Sequence, residues 1–411
     1  MGEILFLAHR MPFPPDRGDK IRSHHLLKAL AEMAPVHAGC FGDTDADFEH
    51  EPSLARYTES HRLIRRKKSM VVSGLEALAS HKPISLTAFW HYELGEWVKQ
   101  TIKDRDISTI FVFSGQMGQY VPADFEGRVV VDLCDVDSAK FEAYAKDGYW
   151  PRSWIDAREG KLLSDEEQCV SKRANMTLFV SAAEAALFNS RLTDHTAHDV
   201  KALRNGIDAA FFDPSAAKPH GDLAENTGAN LVFTGQMDYA PNVVAAKRVM
   251  DRILPQIREI HPDTNFHLVG RAPVAELRKR DGQNGIRVWG EVPDVRPFLA
   301  AADVVVAPLE IARGVQNKVL EAMAMARPVV LSHEAATGID AEDGRDFAIG
   351  ADDGQIVARI LALLADGPAA LNMAASARRY VLAHQSWAAM LAPLPQICGL
   401  TPVHEVPRDV A

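Results

Sequence analysis

Short apolar runs recur along the chain, each followed by a longer stretch with helical spacing. Ile4 to Ala8, Ile110 to Ser114, Val129 to Leu133 and Thr177 to Val180 are apolar on consecutive positions, as strands buried on both faces are. Between them, Ile21 to Met33 places Leu26, Leu27 and Leu30 on one helical face, and charges of both signs alternate through Asp156 to Arg173, which predicts an exposed helix. Ser181-Ala-Ala-Glu184 has the spelling of a capping box opening a further helix. A polar segment with Gly and Pro, Asp213 to Asn230, reads as a linker. The pattern then restarts: Leu231 to Thr234, Phe266 to Val269, Ile286 to Trp289, Val304 to Ala307 and Val329 to Leu331 read as strands. Helices are predicted at Val243 to Ile260, Asp353 to Ala365 and Ala369 to His384. Strand alternating with helix predicts α/β architecture with parallel sheets, and the restart predicts two such domains.

A length of 411 residues agrees, since it exceeds the usual single-domain range. Hydrophobic content of 47% and charged content of 24% are those of an ordinary globular protein. A net charge of −10 argues against a nucleic-acid partner, which wants a basic surface. Cys40, Cys134, Cys169 and Cys398 are scattered without a C-x-x-C pair, so reduced thiols are expected rather than zinc or disulfides. No basic segment followed by a long apolar run opens the chain, and no stretch nears the ~20 apolar residues of a membrane helix, so a cytoplasmic location is expected. One strongly basic run, His61-Arg-Leu-Ile-Arg-Arg-Lys-Lys68, precedes a predicted helix at Val71 to Ser80. Arg62 to Lys68 is either a solvated face or a contact for an anionic membrane surface. Phe89 to Tyr92 is read as helical packing.

The most informative stretch is Arg313 to Ser332, between two of the buried strands. Gly314 permits a tight turn and strong helix formers carry Lys318 to Ala326, so a helix N-terminus falls at the carboxyl end of a parallel sheet, where unpaired amides favour an anion. Lys318 and Glu321, three apart, share a face. An ammonium and a carboxylate so spaced suit a nucleotide, the first on the diphosphate and the second on the ribose. They equally suit a βαβ crossover whose Lys318 and Glu321 form a surface ion pair.

The same stretch resembles the nucleotide-binding signature of retaining GT-B glycosyltransferases of family 4, which closes on Glu-x7-Glu and then Ala-x-Ala-x-Gly-x-Pro-Val-Val. Glu321 matches the second glutamate, used in that family on the donor ribose. Arg313 stands where the first glutamate is expected, and Ala326 where the glycine is expected. Gly-Val-Gln-Asn-Lys-Val-Leu-Glu is most similar to the subgroup associated with bacterial exopolysaccharide and exosortase systems. The resemblance implies two Rossmann-like domains facing a cleft: residues 1–203 on the acceptor side, residues 204–384 on the nucleotide-sugar side, and residues 385–411 crossing back and ending in a tail. Leu203-Arg-Asn-Gly-Ile-Asp208 matches the turn at the domain crossing.

It also implies roles. The donor set is Gly235, Gln236, Arg271, Arg313, Gly314, Gln316, Asn317, Lys318 and Glu321. Gly18, Asp19 and Arg22 take the place of the N-terminal loop that meets donor phosphate and acceptor; that loop has neither G-x-G-x-x-G nor the P-loop spelling. Asp135 sits where many relatives carry a histidine, and with Asp19 is the expected catalytic-site carboxylate; Asp135 and Asp137 could equally cap the next helix. The implied activity is transfer of a hexose from a nucleoside diphosphate sugar to a hydroxyl of a glycan, lipid-linked in this subgroup, with retention and without a metal or other cofactor. Two alternatives share the fold: a GT-B-type epimerase or phosphorylase, and a non-catalytic sugar-nucleotide-binding subunit. An arginine at 313 donates hydrogen bonds only, so it favours the diphosphate or an acidic sugar, unless it turns to solvent.

Overall fold

The structure is a computed structural model that describes residues 2–194, 198–312 and 314–400. The chain divides into two compact units: Met1–Asn205 together with the segment from Met390 onward, and Gly206–Ala389.

Unit 1 is built on seven parallel strands: β1 Glu3–Ala8, β2 Val36–Gly42, β3 Ser60–Arg65, β4 Ile107–Phe113, β5 Arg128–Cys134, β6 Met176–Phe179 and β7 Val200–Ala202, in the order 3-2-1-4-5-6-7. All neighbours pair in parallel; β1 runs against β2 on one side and β4 on the other, with Phe6 opposite Ala38 and Phe111. Its central strands are buried on both faces, which is why their sequences are apolar at consecutive positions.

Unit 2 repeats the plan with β8 Asn230–Thr234, β9 Asn265–Val269, β10 Ile286–Gly290, β11 Val304–Ala307, β12 Val329–Leu331 and β13 Ala348–Ile349, in the order 10-9-8-11-12-13. In each sheet the order reverses once, between β1 and β4 and between β8 and β11. Open parallel sheets form a crevice outside the carboxyl ends of their strands at such a reversal, and ligands bind there.

Several local features differ from the sequence reading. Residues 89–91 break the chain between the helices Ile84–Ala88 and Tyr92–Asp104 rather than continuing one helix. There Trp90 stacks on Tyr120 at 5.3 Å, and the Tyr120 hydroxyl accepts from the His91 amide while donating to the Phe89 carbonyl. The helix Arg152–Arg173 is longer than its charge pattern indicated and not wholly exposed, since it buries Asp156, Glu159 and Glu167. Only half of the capping box forms: Ser181 accepts from the Glu184 amide, but the Glu184 carboxylate reaches across to the Val136 amide at 2.7 Å. The final described residues pack into unit 1, with Leu394 and Ile397 buried and the Ile397 and Cys398 carbonyls accepting from Arg128 and Thr109.

Candidate functional site

The site lies at the β8/β11 reversal of unit 2. After β8 the backbone of Gly235 and after β9 that of Gly270 approach so closely that a Cβ on Gly270 would overlap the Gly235 carbonyl oxygen, and both residues have positive φ. This contact brings the β8 and β9 loops together. From the β11 side, Gly314 at φ +71° turns the chain into the helix Asn317–Ala324. Val319, Leu320 and Met323 are buried beneath it, which fixes the helix on the sheet and leaves Lys318 and Glu321 on the cavity side. At its other end the helix closes through Ala326, whose φ of +49° is left-handed: the conformation glycine takes more easily, at the position where the resemblance leads one to expect glycine.

The resulting cavity has a volume of about 510 Å³. Of the expected donor residues, Gly235, Gln236, Arg271, Gln316, Asn317, Lys318 and Glu321 all line it. Gly314 forms the turn just outside. Arg313 lies outside the described residues. Lys318 Nζ donates to Asn242 Oδ1, and Asn242 Nδ2 donates to the Gln236 carbonyl at 2.9 Å. Arg271 Nη2 donates to Gln236 Oε1 at 2.8 Å, and Gln316 Nε2 to the Gly314 carbonyl at 3.1 Å. Lys318 and Glu321 are therefore not a surface ion pair; they are half-buried lining groups. Burial lowers the Lys318 ammonium to about 8 against the pull of Glu321, and raises the Glu321 carboxyl to about 7 against the pull of Lys318. Such a pair near its titration points is suited to gain from a ligand that is anionic at one end and donates hydroxyls at the other.

Asn242, which orients Lys318, is with Gln236 what the sequence offers for the diphosphate after Gly235; Thr234, whose buried hydroxyl has no partner among the described residues, was not among the expected donor residues. Asn242 was legible as a polar residue closing the loop after the Leu231-to-Thr234 strand, whereas Thr234 reads as ordinary strand. Glu291 and Val292, from the loop after β10, and Val295 just beyond it form a further wall.

The unit 1 residues behave differently. Asp19 sits at the start of the helix Gly18–Met33 and is held by Arg10 at 2.9 Å and Arg17 at 2.7 Å, with His9 Nε2 at 3.3 Å. Burial works to raise its pKa, but hydrogen bonds from His9 and Arg17 keep the carboxyl well below the ordinary range. Arg22, expected on the phosphate loop, is instead buried: it donates to Asp132 at the end of β5 at 2.8 Å and to Asn205. Burial opposes its charge, and Asp132 more than restores it. Gly18 is an open helical residue with nothing close to where a Cβ would be. Asp135 pairs with Lys140 at 2.7 Å, Asp137 lies 3.2 Å from the same ammonium, and neither side chain caps the helix Asp137–Asp147. The structure thus brings seven of the nine expected donor residues into one cavity and leaves Asp19, Arg22 and Asp135 each engaged by an oppositely charged neighbour.

In the basic run, Arg62 to Arg65 belong to edge strand β3. Arg62 pairs with Glu93, Arg65 with Asp45, Arg66 with Asp43 and Lys68 with Glu76.

Comparison with known proteins follows this division. Residues 228–366, which contain the whole cavity, match the family model for glycosyl transferases group 1. Solved structures match almost end to end. A sucrose-phosphate synthase from Thermosynechococcus elongatus is 17% identical with a TM-score of 0.58, covering 97% of this chain and 98% of its own. Anabaena HepE in complex with UDP and glucose is 14% identical at 0.58, covering 98% and 100%. The N-terminal domain of Candida albicans trehalose-6-phosphate phosphatase is 13% identical at 0.60, covering 98% and 97%. The fold is GT-B. No curated protein matches the chain in sequence. In this GT-B chain the matched family segment and the candidate site coincide in unit 2.

Proposed function

We propose that the chain is a retaining glycosyltransferase of the family 4 type that moves a hexose from a nucleoside diphosphate sugar to a hydroxyl of a glycan, in the synthesis of exopolysaccharide or another cell-surface polysaccharide. The observation that carries this reading is the half-buried Lys318–Glu321 pair, set at the N-terminus of the Asn317–Ala324 helix in a cavity of about 510 Å³ at the β8/β11 reversal. Glu321, as a carboxylate, accepts from the ribose hydroxyls. Lys318, Arg271 and the amides near Asn317 meet the diphosphate. The loop at Glu291 and Val292 flanks the base. As the sugar–phosphate bond breaks, negative charge grows on the leaving diphosphate, and donors already aimed there stabilise it most in the transition state. With the diphosphate charge met by side chains and amides, the reaction needs no divalent ion. Asn242 keeps the Lys318 ammonium in place. HepE binds UDP and glucose, so a uridine diphosphate hexose is the first donor to examine. The setting we propose is the cytoplasm, at the inner face of the plasma membrane, with a lipid-linked glycan as acceptor.

The test is calorimetry and donor-turnover assays over a panel of nucleoside diphosphate sugars, including a uronic acid donor, with and without glycan acceptor and with a chelator present. Donor binding with acceptor-dependent turnover that survives the chelator is expected. Turnover without any acceptor would favour an epimerase or phosphorylase, and binding without turnover a non-catalytic subunit.

A further inference from the structure

The helix Met70–Ser80 is mounted the opposite way round from an ordinary surface helix. Its buried residues are the small Ser73 and Ala77, while Met70, Val71, Val72, Leu75 and Leu78 face solvent; Val71 is 73% and Leu75 64% exposed. Amphipathic helices in globular proteins bury their large apolar side chains, so this helix presents an apolar face that is left exposed among the described residues.

The neighbourhood continues the pattern. Arg158, on the helix Arg152–Arg173, donates to the Ala77 carbonyl at 2.7 Å and to the Lys82 carbonyl at 3.3 Å, and Glu159 accepts from the Ile84 and Ser85 amides. One turn before these anchors, on the same helical faces, stand the exposed Trp154 and Ile155. More than half of the large hydrophobic side chains exposed among the described residues fall between Met70 and Ile155. Tyr149, Trp150 and Trp154 supply indole and phenol rings of the kind that collect at membrane–water interfaces. Exposed Lys67 and Lys82 bracket the helix, in a chain of net charge −10.

We propose that the outward face of the Met70–Ser80 helix seats in the headgroup–acyl boundary of an anionic bilayer, with Trp154 and Ile155 beside it and Lys67 and Lys82 at the headgroups. This moves membrane contact from the basic run, whose arginines are occupied by Glu93, Asp45 and Asp43, to an apolar face held next to it. The inference stands on unit 1 alone and does not depend on which sugar is transferred.

Full-length protein is mixed with vesicles of phosphatidylcholine alone and of phosphatidylcholine with phosphatidylglycerol, and the bound fraction is read by sedimentation. Wild type is expected to bind the anionic vesicles and to retain part of that binding at about 0.5 M salt, because an inserted apolar face is not screened. V71E/L75E, which changes only exposed side chains, is expected to lower the bound fraction at least about tenfold while leaving nucleotide-sugar affinity and the unfolding midpoint unchanged. K67Q/K82Q is expected to weaken binding chiefly at low salt. Wild type that ignores both vesicle types, or V71E/L75E that binds as wild type does, overturns the proposal. So does a wild-type dimer in solution that V71E/L75E turns into monomer, which would assign the face to a second copy of the chain.

Discussion

At the carboxyl ends of their sheets both units carry clusters of charged residues, and they handle them in opposite ways. In unit 1, Asp19 is shared among His9, Arg10 and Arg17, Asp43 between Arg10 and Arg66, and Arg22 is sealed against Asp132. Each charge there is answered within the protein. In unit 2, Lys318 and Glu321 are partly withdrawn from water and incompletely compensated, so each is displaced toward its neutral form. Mutual pairing gives a rigid scaffold; incomplete pairing leaves interaction free energy to be realised when a ligand arrives. Under the proposed function, the difference separates groups that shape the protein from groups that meet a substrate, although both kinds look alike as a polar cluster after a strand.

The sharpest break in that comparison comes from removing one partner on each side. Asp132→Ala leaves the Arg22 guanidinium buried and unpaired, so we expect a loss of about 3–5 kcal/mol of unfolding free energy in a urea titration. A loss below about 1 kcal/mol would mean that the pair is not the pin we describe. Glu321→Ala should leave the fold intact and weaken nucleotide-sugar binding by about 1.5–3 kcal/mol in calorimetry. Unchanged affinity would remove Glu321 from the donor site.

The unit 2 pair also makes a prediction about pH. Glu321, raised to about 7, disfavours the folded state as it ionises, so its contribution is absent below its ordinary range and grows unfavourable as pH rises toward 7. Lys318, lowered to about 8, disfavours the folded state below that pH and ceases to do so as it deprotonates above its ordinary range. Near neutrality both therefore act against the unliganded fold, and Glu321→Gln should raise its stability by on the order of 1–2 kcal/mol at pH 7.5 while impairing donor binding. Donor affinity of the wild type should be greatest between about 7 and 8, falling on the acid side as Glu321 takes up a proton and on the alkaline side as Lys318 loses one. A flat affinity profile from pH 6 to 9 would contradict this assignment. The smallest effect belongs to Ala326→Gly, which relieves a left-handed alanine and should stabilise the protein by about 0.5–1 kcal/mol, read as an upward shift of the unfolding midpoint. A destabilisation would show that the alanine methyl packs usefully there.

Much of the fold was open to reading because buried parallel strands write themselves as contiguous apolar runs; β11 and β12 stand where Val304 to Ala307 and Val329 to Leu331 indicated. Lys318 and Glu321 were legible for a local reason, since their shared face follows from a spacing of three within one short helix. Arg22 was not, because its role depends on Asp132, more than a hundred residues away along the chain, and no local pattern records that pairing. Asp19 looked available for the same reason: the cations that occupy it come partly from the loop after β1 and are set by the way that loop folds back. The Met70–Ser80 helix was found from its composition, but periodicity cannot say which face points inward, and here small residues take the inner side.

The route by which the chain closes unit 1 bears on the order of assembly. Leu394 and Ile397, on a short helix, are buried in a unit whose strands all lie before Asn205, and Arg128 and Thr109 wait for carbonyls from that same late segment. During synthesis the first half of the polypeptide therefore leaves the ribosome with part of its docking surface uncovered. Gly206–Ala389, contiguous along the chain, has all of its own strands before that covering segment is made. The half that emerges first is the half that finishes last.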